Sequence, residues 1–367
     1  MTGRRIAVVG GGVSGITAGY VLAQADHVTL FEADDRLGGH TDTHPIGVDT
    51  GFIVYNEHTY PLLTRLFAEI GVATQPSQMS MSVHRAVRTA QGDPVGQVLG
   101  DFLRTGGFSR YFTAHFVLPL VAAVWSCPSG TALRYPARYL FAFLANHGML
   151  SVSGSPPWRT VTGGSRRYVE LAAKRLPDIR LSTPVRAVRR YPDHAEVLDA
   201  AGETHRFDAV VIATHADQAL RLLDPPTDAE RDVLGAFTYT QNPAVLHSDV
   251  TLLPRPAVRA SWNYQLSGCE PDQAAPRISY HMNRLQNLPG EDYVVTLGRA
   301  GLDPALVIDR MDYAHPAYTP ASVAAQRRLP GLNTNVTAFA GAYHGWGFHE
   351  DGCRSGAAAA RALGGIW

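Results

Sequence analysis

Lysine is nearly missing from this chain: Lys174 is the only one among 32 basic residues. Cysteine is scarce as well, with Cys127, Cys269 and Cys353 far apart and without ligand spacing. That excludes a disulfide framework and fits a reducing, cytoplasmic setting. No run of eighteen apolar residues occurs, so no membrane-spanning helix is expected. The 32 acidic residues balance the 32 basic ones. Such a balance gives no electrostatic case for nucleic acid or an anionic membrane as the main partner. Peripheral membrane contact and a homo-oligomer stay compatible with it. No Gly-x-Ser-x-Gly elbow surrounds a serine, and His215, Asp217 and the scattered serines form no hydrolase pattern. No His/Cys pair has ligand spacing within one element, so no metal site is expected. Arg4-Arg5 and the apolar residues after them do not read as a signal peptide, because four glycines interrupt the run.

Glycine, in contrast, is abundant and placed with purpose. Arg5-Ile6-Ala7-Val8-Val9 reads as a buried parallel strand, and Ile16, Ala18, Gly19, Val21, Leu22 and Ala23 suit a helix lying close on it. Between them stands Gly10-Gly11-Gly12-Val13-Ser14-Gly15. In a Gly-x-Gly-x-x-Gly turn the first glycine makes the turn, the second admits a pyrophosphate and the third lets helix and strand touch. The helix then offers free N–H groups, here those near Val13 and Ser14, to the phosphates. A second strand, His27-Val28-Thr29-Leu30-Phe31, ends in Glu32-Ala33, twenty positions after Gly12, where an acid can bond a ribose hydroxyl. A nucleotide-binding N-terminus follows.

Further on, Thr59 to Ile70 has helical spacing and Met79 to Val83 reads as a strand. Phe108 to Ser126 and Arg138 to Val152 are apolar nearly all round, which predicts a buried helical layer or the wall of a tunnel for a greasy substrate. Arg167 to Leu176 reads as a helix, with hairpin-like strands at Val185 to Tyr191 and Ala195 to Leu198. Phe207 to His215, containing Ala213-Thr214, reads as a buried parallel strand. Alternating aromatic strands at Ala260–Gln265, Arg277–Met282 and Tyr293–Leu297 predict an antiparallel sheet. Residues 216–330 hold no second phosphate loop. At the end, a strand reaching Gly341 leads into a glycine-rich turn and an alanine-rich helix from Arg354 to Leu363.

The stretch Arg36-Leu37-Gly38-Gly39-His40-Thr41 resembles the flavin superfamily of amine oxidases, phytoene desaturases and protoporphyrinogen oxidase. More narrowly, the chain is similar to bacterial FAD-dependent, amine-oxidase-like proteins encoded beside cyclopropane-fatty-acid-synthase-like methyltransferases. That resemblance rests on Asp49-x-Gly51-Phe52-x-Val54-Tyr55-Asn56, Asn146-His147-Gly148, Trp158-Arg159-x-Val161-x-Gly163-Gly164-Ser165-Arg166, Met282-Asn283-Arg284-Leu285-Gln286 and Gly347-Phe348-His349-Glu350-Asp351-Gly352. It implies FAD as cofactor, with Arg36, Gly38, Gly39, His40 and Thr41 along the diphosphate. It also implies Val185 at the adenine, and Gly341, Glu350, Asp351 and Gly352 at the flavin. Tyr343, Trp346, His344 and His349 become candidates for the flavin face or for proton transfer. One departure stands out: between Val83 and Leu103 this chain has a short polar link where those relatives carry a longer segment.

Taken together, the expectation is an α/β fold. A Rossmann-type FAD-binding domain (1–82, 158–216, 335–367) is interrupted by an α+β substrate domain, helical at 83–157 and an antiparallel sheet at 217–334. The expected function is FAD-dependent hydride removal from an apolar, acyl-type substrate, by desaturation or isomerisation, with dioxygen one candidate electron acceptor. Some of the resembling proteins are implicated in desaturating branched acyl chains, and the wider group includes fatty-acid and carotenoid isomerases. Many amine oxidases set a lysine near the flavin, a place that Lys174, on a surface helix, does not suit. An amine or amino-acid oxidase with Arg284 as carboxylate clamp, and a non-catalytic flavin-binding subunit, remain as alternatives; an NAD(P)-dependent reductase lacks its second glycine motif.

Overall fold

Five short strands from both ends and the middle of the chain, apolar except the edge strand at 178–180, meet in one parallel sheet. They are seen in a computed structural model that describes residues 3–82, 97–125, 127–150, 156–265, 277–298 and 301–367. Across the sheet the order is Thr337–Phe339, Ala209–Ile212, Arg5–Val9, His27–Phe31 and Asp178–Arg180. Every pairing is parallel. Ile6–Val9, Val28–Phe31 and Ala209–Ile212 are buried because both faces of the sheet are covered. The first helix, Val13–Leu22, and the last, His349–Ala362, cover the face carrying Ile6, Val8 and Val211. On the other face, Ala7, Val9, Val210 and Ile212 pack against helices Ala216–Leu222 and Asp228–Leu234 and an antiparallel three-stranded sheet. That sheet runs through Val185–Arg190, Ala195–Asp199 and Thr204–Phe207.

A second, larger sheet runs in the order Val307–Ala317, Thr238–His247, Val294–Leu297, Arg277–His281, Trp262–Gln265 and Met81–Ser82. All its pairs are antiparallel except the last. A helical layer stands beside it, made of Leu99–Thr105, a helix from Arg110 that widens into a π turn at Thr113–Val117 and resumes at Leu118–Trp125, and Ala137–Asn146. Its apolar side chains join Tyr318, Trp346 and Phe348 in one cluster, so the layer is packed against the C-terminal block.

Several expectations are adjusted. The first apolar helix is broken in two by the π turn, and the second ends at Asn146, where His147 and Gly148 leave the helix. The strand expected at Met79 to Val83 is Met81–Ser82, and Val83, Ser126, Val152, Cys269 and most of the short polar link lie outside the described residues. The last helix begins at His349, five residues before the expected Arg354, because the Asp351 carboxylate accepts the Phe348 N–H at 3.1 Å and caps it. Strands Thr238–His247 and Val307–Ala317, which pair over ten residues, were not expected at all.

Close packing joins the chain's two ends. A methyl group on Gly352 would stand 2.6 Å from Val13 Cγ1, and one on Gly356 would collide with the Ser14 carbonyl oxygen. Cys353, between them, accepts the Thr17 hydroxyl at 3.6 Å. Because the obstacle at Gly356 is backbone, it cannot rotate away. Gly356→Ala is therefore expected to lower stability by about 1–3 kcal/mol, outweighing the better helix propensity of alanine. Gly331→Ala, where the new methyl meets open space, should leave the thermal midpoint nearly unchanged; equal midpoints for both variants would remove the constraint.

Candidate functional site

The glycine turn at the end of the first strand does what its spacing requires. Gly10 has φ 104°, a conformation that glycine adopts without strain. A methyl on Gly15 would strike the Gly10 carbonyl, whereas one on Gly12 would meet nothing within 4 Å. No side chain caps the helix at Gly12, which leaves its first-turn N–H groups, from Val13 to Gly15, for an anion. Glu32 is pinned beside this turn: its carboxylate accepts the Gly11 N–H at 2.6 Å and the Asp34 N–H at 3.0 Å. Ala33 follows it on the surface. The Glu32 carbonyl accepts the Thr183 N–H at 2.8 Å, which brings the start of the strand at Val185 to the same side.

The loop after Glu32 folds back over the turn. Gly38 donates to the Gly11 carbonyl at 2.8 Å, and Gly39 lies against Gly12. Arg36 clamps the loop, its guanidinium donating to the Gly39 and Thr41 carbonyls and pairing with Asp42 at 3.1 Å. Thr214, at the end of the third buried strand, touches Gly10, and Ala213 is held by the Val9 carbonyl at 2.8 Å. His40 donates through Nε2 to the Ala314 carbonyl at 3.1 Å, which joins the loop to the edge strand of the larger sheet.

The C-terminal block closes the cleft from the far side. Gly341 donates its N–H to Ser355 Oγ at 2.9 Å. His349 stacks on Phe52 with ring centroids 3.8 Å apart and meets Thr41 Oγ1 at 2.8 Å; Thr41 also bonds the Tyr168 hydroxyl. Desolvation pushes the His349 imidazole down to about 3 and that of His344 down to about 4, so both are neutral at pH 7. Glu350 caps the helix Pro61–Ile70, accepting the Leu62 and Leu63 N–H groups at 3.1 and 3.0 Å. Asp351 pairs with Arg354 at 2.5 Å. Burial raises the pKa of both carboxyls. Trp346 is part-exposed, and its Nε1 and His344 Nε2 are buried atoms without a partner among the described residues. Tyr343 departs from expectation: it is 2% exposed, packed on Phe237 in the core behind the parallel sheet. A glycine-rich turn containing several aromatics does not reveal which of them turns inward.

The residue that sequence reasoning left without a role is Asp49. Fully buried, its carboxylate accepts Thr43 Oγ1 at 2.6 Å, the Ser165 N–H and Oγ at 2.8 Å each, and Gln286 Nε2 at 2.8 Å. It thereby fastens the loop after His40 to the Gly163-Gly164-Ser165 turn and to the short helix Met282–Gln286, which carries Arg284. Burial pushes the Asp49 carboxyl up to about 7, with these donors pulling the other way. The Asp-x-Gly pattern was visible, but nothing local says that two of its partners, Ser165 and Gln286, lie more than a hundred residues away.

Comparison with known proteins follows this geometry closely. A family model described as NAD(P)-binding Rossmann-like domain matches residues 8–70, and one described as flavin containing amine oxidoreductase matches 98–246. In structure, the chain is similar to cyclohexylamine oxidase from Brevibacterium oxydans IH-35A, with a TM-score of 0.70 at 16% identity over 98% of both chains. It is likewise similar to a CLA-producing fatty acid isomerase from P. acnes, with a TM-score of 0.67 at 19% identity over 98% of both. The two family models and the shared fold support an amine-oxidase-like FAD superfamily as the group this chain is similar to. Among curated relatives, coproporphyrinogen III oxidase of Mycobacterium leprae is 42% identical over 281 residues, 61% of this chain and 62% of that protein. The match to the corresponding protein of Mycobacterium bovis spans 18% of that relative's length.

FAD is the cofactor of this superfamily, and the residues present fit it. The open space over Gly12 and the uncapped helix suit a diphosphate; the unpartnered Trp346 and His344 nitrogens at the opposite end suit a polar ring edge. Glu32→Ala is expected to weaken FAD binding by roughly 1.5–3 kcal/mol, since a charge-assisted bond and the anchor of Gly11 are lost together. Fluorescence titration of the apoprotein measures this, and an unchanged Kd would show that Glu32 does not bear on the cofactor. For Asp49, a folded pKa near 7 against an ordinary value of 3.8 means the native state holds a proton that the unfolded state has lost. Stability should then fall as pH rises from about 4 to about 7 and level off above. Urea midpoints across that range should show the slope in the wild type and lose that part of it in Asp49→Asn.

Proposed function

We propose that the protein is an FAD-dependent oxidoreductase acting on an apolar, acyl-type substrate, by desaturation or double-bond isomerisation. Bound FAD supplies the hydride acceptor. The observation that carries the substrate class is the aromatic wall facing the C-terminal block. Trp125 donates through Nε1 to the Trp346 carbonyl at 3.1 Å, and Tyr139 donates to the Gly345 carbonyl at 2.6 Å. Phe143 stacks on Phe348 at 4.8 Å. These bonds hold the helical layer and the flavin block together as one dry surface, which orients a chain by shape and keeps water out. Next to it, a cavity of ≈ 350 Å³ is lined by His58 to Leu62, Asn146, His147, Trp346, Phe348, Glu350, Asp351 and Arg354. Its guanidinium, Arg354, is already paired with Asp351, so the cavity suits an uncharged segment of a chain better than a charged end. His344, neutral and with a free Nε2, is the proton-accepting group we assign.

An amine-oxidase reading is favoured by Glu350 and Asp351, which line the same cavity. Both carboxylates are already engaged, however, one by two backbone N–H groups and the other by Arg354 and a backbone N–H. Burial also biases both toward the neutral form, so neither is free to anchor an ammonium group. Lys174, at the end of the helix Arg166–Ala173, is exposed and lies apart from this block.

The test is to load the purified protein with FAD and offer it fatty acids, primary amines and amino acids, following flavin absorbance without oxygen and products by mass spectrometry. Bleaching by an acyl chain, or a shifted double bond without bleaching, is the expected result. Bleaching by amines, with peroxide once oxygen is readmitted, and no acyl turnover would overturn the substrate class, and FAD that no compound reduces or uses would favour a silent flavin-binding subunit. His344→Asn should lower turnover about 10²-fold, with the FAD Kd measured beside it to separate a lost proton acceptor from a lost flavin contact.

A further inference from the structure

Two buried side chains in the cavity beside the C-terminal block each keep one polar atom without a partner among the described residues. His147 follows the helix Ala137–Asn146 and Tyr60 precedes the helix Pro61–Ile70; each is 4% exposed. Both line the cavity, and their rings meet edge-on with centroids 6.3 Å apart. Phe143 stacks on the His147 ring at 4.0 Å and holds its plane. We propose that His147 and Tyr60 form a binding site for a hydroxyl group carried on an otherwise apolar chain. This rests on the apolar-substrate reading given above and names the polar group that such a chain carries.

The tautomer of His147 follows from its surroundings. Nδ1 lies 3.0 Å from the Phe143 carbonyl oxygen, which can only accept, so Nδ1 carries the hydrogen. Desolvation, with His58 nearby, lowers the pKa of this imidazole and keeps it neutral at pH 7. Nε2 therefore holds a lone pair and no hydrogen. The Tyr60 hydroxyl is its complement: burial and the Asp351 and Glu350 carboxylates raise its pKa, so it keeps a hydrogen to donate. Neither atom is sealed off by protein, unlike Thr59 Oγ1 and Trp346 Nε1 in the same wall.

The other polar groups of the cavity are engaged or stand at its mouth. Glu350 holds the Leu62 and Leu63 N–H groups, and Asp351 holds Arg354 and the Phe348 N–H. His58 and Asn146 are exposed. What faces the interior is one acceptor and one donor, close enough for a single small group to reach both. A hydroxyl supplies one hydrogen and accepts through its oxygen, so it answers the two together. A carboxylate only accepts and would meet the His147 lone pair with repulsion. An ammonium group would lose its hydration with no free carboxylate to receive it. An ether accepts from Tyr60 but gives His147 nothing, and a buried group left unpaired is what makes such a site selective.

Calorimetric titration of the FAD-loaded protein at neutral pH with octanol, its isomer heptyl methyl ether, and octanoate tests this. Octanol is expected to bind about tenfold more tightly than the ether, and octanoate no more tightly than the ether. In His147→Phe octanol and the ether should bind alike, whereas His147→Gln, which keeps an acceptor near the place of Nε2, should retain part of the preference. Tyr60→Phe should weaken both ligands by a similar factor and leave their ratio. Equal affinities in the wild type, octanoate as the tightest ligand, no binding of any of the three, or an unchanged ratio in His147→Phe would each overturn the proposal. None of these touches the acyl-chain reading, which stands or falls on its own turnover assay. Amine turnover beside an intact octanol preference would overturn that reading and leave this site standing. The ligand comparison uses the wild-type protein and does not depend on any variant folding.

Discussion

A carbonyl oxygen at Ser14 and a glycine at position 356 let the two ends of the chain meet at close range, and the cleft depends on it. With no side chain between them, the first and last helices lie backbone against backbone over one face of the parallel sheet. Their N-termini therefore open toward the same place, although one follows the first strand and the other the last. A dinucleotide needs two such ends: one with free amides for phosphates and one with donors for a ring that gains negative charge on reduction. Small residues at Gly352 and Gly356 bring the second end within reach of the first. Bulkier residues would lever the last helix away and widen the cleft from behind.

The front of the cleft is held differently, by buried polar bonds. Asp49 gathers donors from Thr43, Ser165 and Gln286, three separate parts of the chain, into a site with no exposure. A carboxylate so placed is costly to bury but directional, whereas the helix contact is apolar and tolerant of small rotations. Such a bond network fixes the register of the loop bearing Gly38 to Thr41 against the turn bearing Gly163 and Gly164. His349 adds a second tie through Thr41 and Phe52. Packing closes the cleft from one side and directional bonds from the other, so each face can be altered without the other giving way.

The parts of this arrangement that could be read in the sequence are those with local causes. Gly10 and Gly15 announce themselves because only glycine tolerates the collisions their positions impose, Gly12 because the space over it stays open, and the flanking strands because they are buried on both faces. Thr238–His247 and Val307–Ala317 could not be read so easily. Only Tyr313 of the latter is fully buried, so it lacks an apolar alternation, and as an edge strand it tolerates Pro316. Pro243 interrupts the former, but it stands just past the last pair with the neighbouring strand, Ala244 with Leu297, where a missing N–H costs little. Asp49 had no local signal for its role, because it acts through partners brought from far along the chain. Tyr343 and Trp346 sit three residues apart in one turn, and only the packing of Phe237 separates core from cleft.

The electrostatic character of the cleft bears on what can react there. Around the C-terminal block each shifted group moves toward its neutral form: His344 and His349 downward, Glu350, Asp351 and Tyr139 upward. Desolvation is the largest cause in every case, so this reports a poorly solvated interior and not a particular charge. In such a place a charged substrate would pay for its lost hydration unless met by a free counter-ion, and the carboxylates here are already engaged. A neutral hydrocarbon segment meets no such penalty. The diphosphate of the cofactor would then be the main charge brought into the cleft, and it would meet the uncapped helix end and the open space over Gly12. An apolar substrate at one end and a diphosphate met by backbone N–H groups at the other are thus compatible with one poorly solvated cleft.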